Sequence, residues 1–354
     1  MRAPVKSQRT GPIRILIVDD SPVIREILTA MFRAEPDFEV IGEAQDGHEA
    51  VQFTAALRPD VITMDLHMPR MTGVEAIRQI MNTTPTPITV VASGIHEDCA
   101  VMAAQALAAG ALTMVEKPRG ISPQDYGAIQ GQLTMAIRLV AGVELVSLAG
   151  GAAGAADFIQ DNRPKLVAIG ASTGGPGILH RILHTLPSEL NFPIIVVQHI
   201  TAGFGAGFVR WLDSVTEIKV QLAQDNEPVR PGCVWVAPEG HHLTVQSGGV
   251  IHLDASAPLG GVRPSANRLF TSVAETYQSA AVGIILTGMG VDGADGLEEL
   301  WRVGGYTIAQ DEASCVVFGM PKVAIERGVV RQVLTPDEIA TFLTRLNEQC
   351  KNRE

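Results

Sequence analysis

The chain has 354 residues, enough for two or three domains of ordinary size. Hydrophobic residues make up 46% and aromatics only 5%, so its cores must be built from Val, Ile, Leu, Ala and Met. A net charge of −11 argues against a nucleic-acid partner, which needs a basic face. Cys99, Cys233, Cys315 and Cys350 are scattered without CxxC spacing. That predicts reduced thiols in a cytoplasm, not a disulfide framework or a metal site. No run approaches the ~20 apolar residues of a membrane span, so a soluble protein is expected.

The first half alternates short apolar runs with amphipathic stretches. Strands are expected at 13–18, 39–41, 61–64, 88–91 and 112–115. Helices are expected at 22–34, 47–57, 73–81 and 97–108, with a closing helix at 124–138. Five strands interleaved with helices predict an α/β fold with a doubly wound five-stranded parallel sheet. Residues 149–156 are all Ala or Gly, cannot form a core, and read as a flexible linker. The second half restarts with a continuous apolar strand at 166–169, with similar runs at 193–197 and 281–286. Shorter strands at 234–237 and 242–253 suggest an antiparallel section beside a mostly parallel sheet.

Ligands of open parallel sheets sit at the carboxyl ends of strands. In the first half those ends carry Asp19 and Asp20, Asp65, and Lys117-Pro118. Three carboxylates at one edge repel one another unless a cation lies among them, and an all-oxygen set suits Mg²⁺. Lys117 can pair with a phosphate carried by a carboxylate. Asp65 lies between the other groups in strand order, which makes it the candidate acceptor. For any single aspartate, helix capping is an equally good explanation; the whole constellation is harder to explain that way.

Val18-Asp19-Asp20-Ser21, Met64-Asp65-Leu66-His67-Met68-Pro69 and Lys117-Pro118 resemble the receiver domain of response regulators. The resemblance implies that Asp65 accepts phosphate from a histidine kinase. It also implies that Asp20, Asp65 and the His67 carbonyl hold Mg²⁺, with Asp19 nearby. Receivers usually carry Ser or Thr at the end of strand four and an aromatic residue in strand five. Here Ala92, followed by Ser93, and Met114 stand at those places.

In the second half, strand 166–169 leads into Gly170-Ala171-Ser172-Thr173-Gly174-Gly175-Pro176, which has the form G-x-S-x-G. Such a turn lifts a serine hydroxyl above a sheet. A phosphate cradle or a plain N-cap fits the pentapeptide equally well. A nucleophilic serine needs a base, and of nine histidines His199 alone ends a buried strand at that edge. His180 and His184 share a helix face but lack a third ligand. The loop after 281–286 is glycine-rich and presents Asp292 as the orienting carboxylate, with Asp295 as rival. Three strand ends would then deliver Ser172, His199 and Asp292 to one crevice, in an order unlike that of the α/β-hydrolases.

These segments resemble the chemotaxis protein-glutamate methylesterases: Ile169 through Gly175, Gln198-His199, Leu286 through Gly293, and Ala309 through Pro321. The resemblance implies hydrolysis of glutamate methyl esters on methyl-accepting chemoreceptors and deamidation of receptor glutamines. No cofactor is expected for the esterase reaction, and the protein would be peripheral to membrane receptors only. It implies that the Met289 backbone N–H, with Thr173 close by, serves the oxyanion. Members usually carry Asp where Asn267 stands. The expected domains are a receiver at 13–120, a closing helix and linker at 121–163, and a catalytic domain at 164–348.

Overall fold

The computed structural model describes residues 11–92, 97–118, 123–141 and 164–351. The linker expected at 149–156 and Ser93 lie outside them. The chain divides into two compact units, residues 1–93 with 109–143, and residues 94–108 with 144–354.

Strands and helices alternate through the first half. They are β1 (Ile13–Val18), α1 (Pro22–Arg33), β2 (Phe38–Ala44), α2 (Gly47–Leu57), β3 (Val61–Met64), α3 (Gly73–Thr83), β4 (Ile88–Ala92), α4 (Glu97–Ala108), β5 (Thr113–Glu116) and α5 (Pro123–Val140). The caps that start the helices were written locally. Ser21 precedes Pro22 at the start of α1. Asp46 accepts from Glu49 N at 2.9 Å to start α2, and Thr72 and Glu75 form a reciprocal capping box on α3. All strand pairs are parallel, in the order β2-β1-β3-β4-β5. The winding therefore reverses at β1, and right-handed crossovers put helices on both faces, as the doubly wound reading expects. β2 runs longer than the 39–41 expected. It is an edge strand, and its exposed Glu39 and Glu43 hide the apolar pattern.

The second half contains β6 (Leu166–Ala171), α6 (Gly175–Leu183), β7 (Ile194–Gln198), α7 (Gly205–Val215), β8 (Lys219–Leu222), β9 (Cys233–Val236), β10 (His242–Gln246) and β11 (Val250–Asp254). It continues with α8 (Ala266–Tyr277), β12 (Ala281–Ile285), α9 (Ala294–Arg302), β13 (Tyr306–Gln310), α10 (Met320–Glu326), β14 (Gln332–Leu334) and α11 (Pro336–Lys351). Seven strands form a parallel sheet in the order β14-β13-β12-β6-β7-β9-β8. Two expectations change. The run at 234–237 is β9, a parallel member of the main sheet and not part of an antiparallel section. The run at 242–253 is a separate hairpin, β10 against β11, and supplies the antiparallel pair. A strand's period shows which residues face inward but not which strand lies beside it.

The main sheet is covered on both faces, so its central strands read as unbroken apolar runs. Val167 and Ile169 face one core with Ile194, Val196 and Ile284. Leu166 and Ala168 face the other with Ile195, Val197 and Phe270 of α8. Phe270 is fully buried. Phe270→Ala should lower stability by about 3–5 kcal/mol through lost contact and the residual cavity. Urea unfolding of the full chain checks this; a loss under about 1 kcal/mol would mean that α8 is not anchored through this ring.

Candidate active site

Two clusters of polar side chains stand at the carboxyl ends of the two sheets. In the first, Asp19 follows β1, Asp65 follows β3 and Lys117 follows β5. The Lys117 ammonium lies 2.9 Å from both Asp19 Oδ2 and Asp65 Oδ2. Backbone donors hold the remaining carboxylate oxygens: Ser21 N reaches Asp19 Oδ1 at 2.9 Å and Leu66 N reaches Asp65 Oδ1 at 2.7 Å. Burial pushes the Asp65 carboxyl above its ordinary value; Lys117 opposes this and Asp19 adds to it. Burial works against the Lys117 charge too, but Asp65 and Asp19 outweigh it and hold the ammonium above its usual range.

Asp19, Asp20 and Asp65 bring one oxygen each within 4.8 Å of one another. It is the one grouping of three or more His, Cys, Asp or Glu side chains with metal-ligand spacing among the described residues. Asp19 Oδ2 and Asp65 Oδ2 are buried and accept nothing beyond the Lys117 pairing. An all-oxygen set with buried spare acceptors fits a hard divalent cation. Arg25, which the sequence did not single out, donates to the Asp19 carbonyl at 2.7 Å and the Asp20 carbonyl at 3.2 Å, fixing this loop from below. Ala92 is buried and offers no hydroxyl, and Met114 is buried in β5.

In the second sheet β6 lies between β12 and β7, where the winding reverses. Ser172 leaves β6, His199 leaves β7 and Asp292 lies in the loop between β12 and α9. All three expected residues therefore occupy the switch point of the sheet. Backbone bonds extend the strand pairing into this turn: His199 N donates to Ala171 O at 2.9 Å, and Ser172 N donates to Thr287 O at 3.0 Å. Gly288 lies directly against the serine. A methyl group added there would stand 2.7 Å from Ser172 Cβ and 2.4 Å from Met320 Sδ.

His199 Nε2 and Asp292 Oδ2 are 2.9 Å apart. The carboxylate is also seated on the first turn of α8. Ser265 Oγ donates to Oδ1 at 2.6 Å, Ala266 N to Oδ2 at 2.6 Å and Asn267 N to Oδ1 at 3.2 Å. Burial alone would raise the Asp292 carboxyl, but His199, Ser265 and Ala266 outweigh it and hold it below its ordinary value. Asp295, the rival carboxylate, lies in the first turn of α9 and pairs with Arg327 and not with His199. Among the described residues no hydrogen bond joins Ser172 Oγ to His199, and none occupies the Met289 N–H. Thr173 presents its carbonyl to Thr287 Oγ1 at 2.9 Å.

Asn267 caps α9, accepting from Gly296 N at 2.9 Å and donating to Asp295 Oδ2 at 3.4 Å. A carboxylate at this position would face Asp295 with like charge. Ser265 and Glu239 were missed by the sequence reading. Ser265 is the N-cap of α8, and a serine immediately ahead of an amphipathic run could have marked it. Glu239 receives Gly203 N at 2.6 Å and also Gly205 N, which fixes the loop between His199 and α7. His180 and His184 stack at 5.4 Å on α6 without a metal-ligand partner among the described residues. No helix of the described residues is long and apolar enough to cross a membrane.

Comparison with known proteins places both halves of the chain. Residues 167–343 match the family model described as CheB methylesterase, and residues 15–123 match that described as response regulator receiver domain. Protein-glutamate methylesterase/protein-glutamine glutaminase 4 of Myxococcus xanthus is 41% identical over 344 residues, spanning 95% of this chain and 97% of that one. Protein-glutamate methylesterase/protein-glutamine glutaminase 3 of Anaeromyxobacter dehalogenans is 43% identical over 336 residues, spanning 94% and 98%. The crystal structure of the Thermotoga maritima CheB methylesterase catalytic domain matches with a TM-score of 0.50 at 43% identity, covering 52% of this chain and 98% of that domain. With both sites standing at strand ends and both family models matched in order, the chain belongs to the CheB methylesterase family and carries a response regulator receiver domain ahead of its methylesterase domain.

Proposed function

We propose that this protein hydrolyses glutamate methyl esters on chemoreceptors, releases methanol, deamidates receptor glutamines, and is regulated by phosphorylation of its receiver during sensory adaptation. The observation that carries this reading is the His199–Asp292 pair one strand from Ser172, in a chain of this family.

Ser172 is the nucleophile. With Nε2 committed to Asp292, the other ring nitrogen of His199 takes the serine proton as Oγ attacks the ester carbonyl. The Met289 N–H, with Thr173 beside it, receives the oxyanion; one such donor is worth ~3–4 kcal/mol in a serine protease. Collapse of the tetrahedral species breaks the C–O bond to methanol, and the proton returns from His199 to the departing oxygen. Water then attacks the acyl-enzyme with His199 again as base, leaving the free glutamate and Ser172. With a glutamine substrate the leaving group is ammonia. No step in this sequence calls for a cofactor.

In the receiver, Asp65 is the acceptor and a histidine kinase the donor. Asp20, Asp65 and the His67 carbonyl would hold Mg²⁺, with Asp19 beside them. When bound, the cation neutralises the clustered charge that otherwise opposes an incoming phosphoryl group. Lys117 pairs with the phosphoryl oxygens. The substrates sit on membrane receptors, so the enzyme works from the cytoplasmic side as a peripheral partner.

Ser172→Ala should lower methanol release from methylated receptor membranes by at least about 10³-fold with folding retained. Activity within tenfold of the parent would place the nucleophile elsewhere. Saturating Mg²⁺ should raise the thermal midpoint of the parent protein by a few degrees through linkage, about 2.7 kcal/mol at one hundred times the dissociation constant. Asp65→Asn should lose most of that shift, together with phosphate labelling by acetyl phosphate. Equal midpoint shifts in both proteins, or label surviving in the variant, would identify a different carboxylate. The lowered Asp292 carboxyl gives a third test. Its contribution is present above the unfolded value of 3.8 and disappears as pH falls through the lower folded value. The stability gap between parent and Asp292→Asn should therefore shrink as pH falls below about 4. A gap that did not shrink below about pH 4 in urea titrations would contradict this charge state.

A further inference from the structure

Gln198 is the last residue of β7 and is 2% exposed. Its side-chain Nε2 donates to Ser172 O at 2.8 Å and to His199 O at 2.8 Å. Both hydrogens of one amide are thus divided between the serine and the histidine. The strand ladder between β6 and β7 ends with the pair Ala171 and Gln198, and the bond from His199 N to Ala171 O is its last backbone rung. Beyond it the two chains leave for different helices. The amide adds the next connection from a side chain.

The other end of the same group is left without a partner. Gln198 Oε1 is buried and accepts no hydrogen bond. It is packed so closely on α6 that a methyl group added at Gly175 would stand 2.2 Å from it. A buried acceptor without a donor is unfavourable, and an apolar side chain of similar length would avoid that penalty. Reversing the amide is no remedy, because Oε1 would then face two carbonyl oxygens. What the glutamine provides that an apolar residue cannot is its pair of N–H donors.

We propose that Gln198 is a positioning residue for the esterase reaction, a side-chain clamp that holds the serine turn and the histidine strand end in register. The proposal rests on the assignment of Ser172 as nucleophile and His199 as base. Attack requires these groups in near-contact geometry, and a displacement of about 1 Å costs on the order of 10²-fold in rate. Because the clamp acts on enzyme groups and touches no substrate, its loss should appear in kcat and leave KM nearly unchanged.

The test measures methanol release by the full-length protein on methylated receptor membranes. Two variants are compared with the parent. Gln198→Met keeps length and burial but removes both donors; kcat should fall about 10–100-fold, with KM within about twofold. In Gln198→Glu the ionised side chain has no donor and faces two carbonyls, whereas its protonated form regains one O–H donor. Burial raises such a carboxyl. The ratio of Gln198→Glu to parent activity should therefore recover as pH is lowered, while the Gln198→Met ratio stays flat. A Gln198→Met enzyme with kcat within twofold of the parent would overturn the clamp. So would a Gln198→Glu ratio that does not change with pH, which means the side chain only fills space; this arm stands even if the methionine variant does not fold. Absence of Ser172-dependent release in the parent protein would instead overturn the assignment on which the clamp rests.

Discussion

The methylesterase half of this protein depends on keeping one half-buried carboxylate charged. Asp292 lies in a loop of the second sheet, largely removed from water, where ionisation is unfavourable in itself. It is compensated by the first turn of α8, which supplies Ser265 Oγ and two backbone N–H groups, and by His199. The helix N-terminus contributes its dipole in the same direction. An anion fixed this firmly determines which ring nitrogen of His199 is bound to it and therefore which one is left for the role proposed for it toward Ser172. The packing of α8 through Phe270 and the placement of the imidazole are consequently parts of one arrangement.

The receiver solves the opposite problem. Its carboxylates are not fully compensated: Lys117 is shared between Asp19 and Asp65, and burial leaves Asp65 with a raised carboxyl. That residual imbalance is what a divalent cation can relieve, and it suits a site whose occupancy has to change. One chain thus carries a fixed charge where chemistry needs a constant geometry and an unbalanced one where a signal must be received.

Much of this was legible in the sequence, for reasons that can be named. Asp19, Asp65, Lys117, Ser172 and His199 all directly follow buried strands, and a parallel sheet collects such positions at one edge. What remained hidden depends on partners distant in sequence. The parallel placement of β9 follows from β7 and β8, not from its own four residues. β13 and β14 were not read as strands; β14 has three residues and lies at an edge. Ser265 meets Asp292 across 27 positions, so no local pattern announces the contact. Asn267 meets Asp295 and Gly296 across 28 and 29 positions, which no local pattern announces. Gln198 stood next to His199 in the sequence, but only the fold shows that its amide reaches back to Ser172.

Covalent labelling tests the central claim most directly, because it needs neither receptor nor kinase. The full-length protein is treated with a fluorophosphonate and its peptides are mapped by mass spectrometry. The account predicts one dominant adduct, on Ser172, formed much more slowly in His199→Gln and absent in Ser172→Ala. No adduct on the intact protein, or a dominant adduct on another serine, would contradict it.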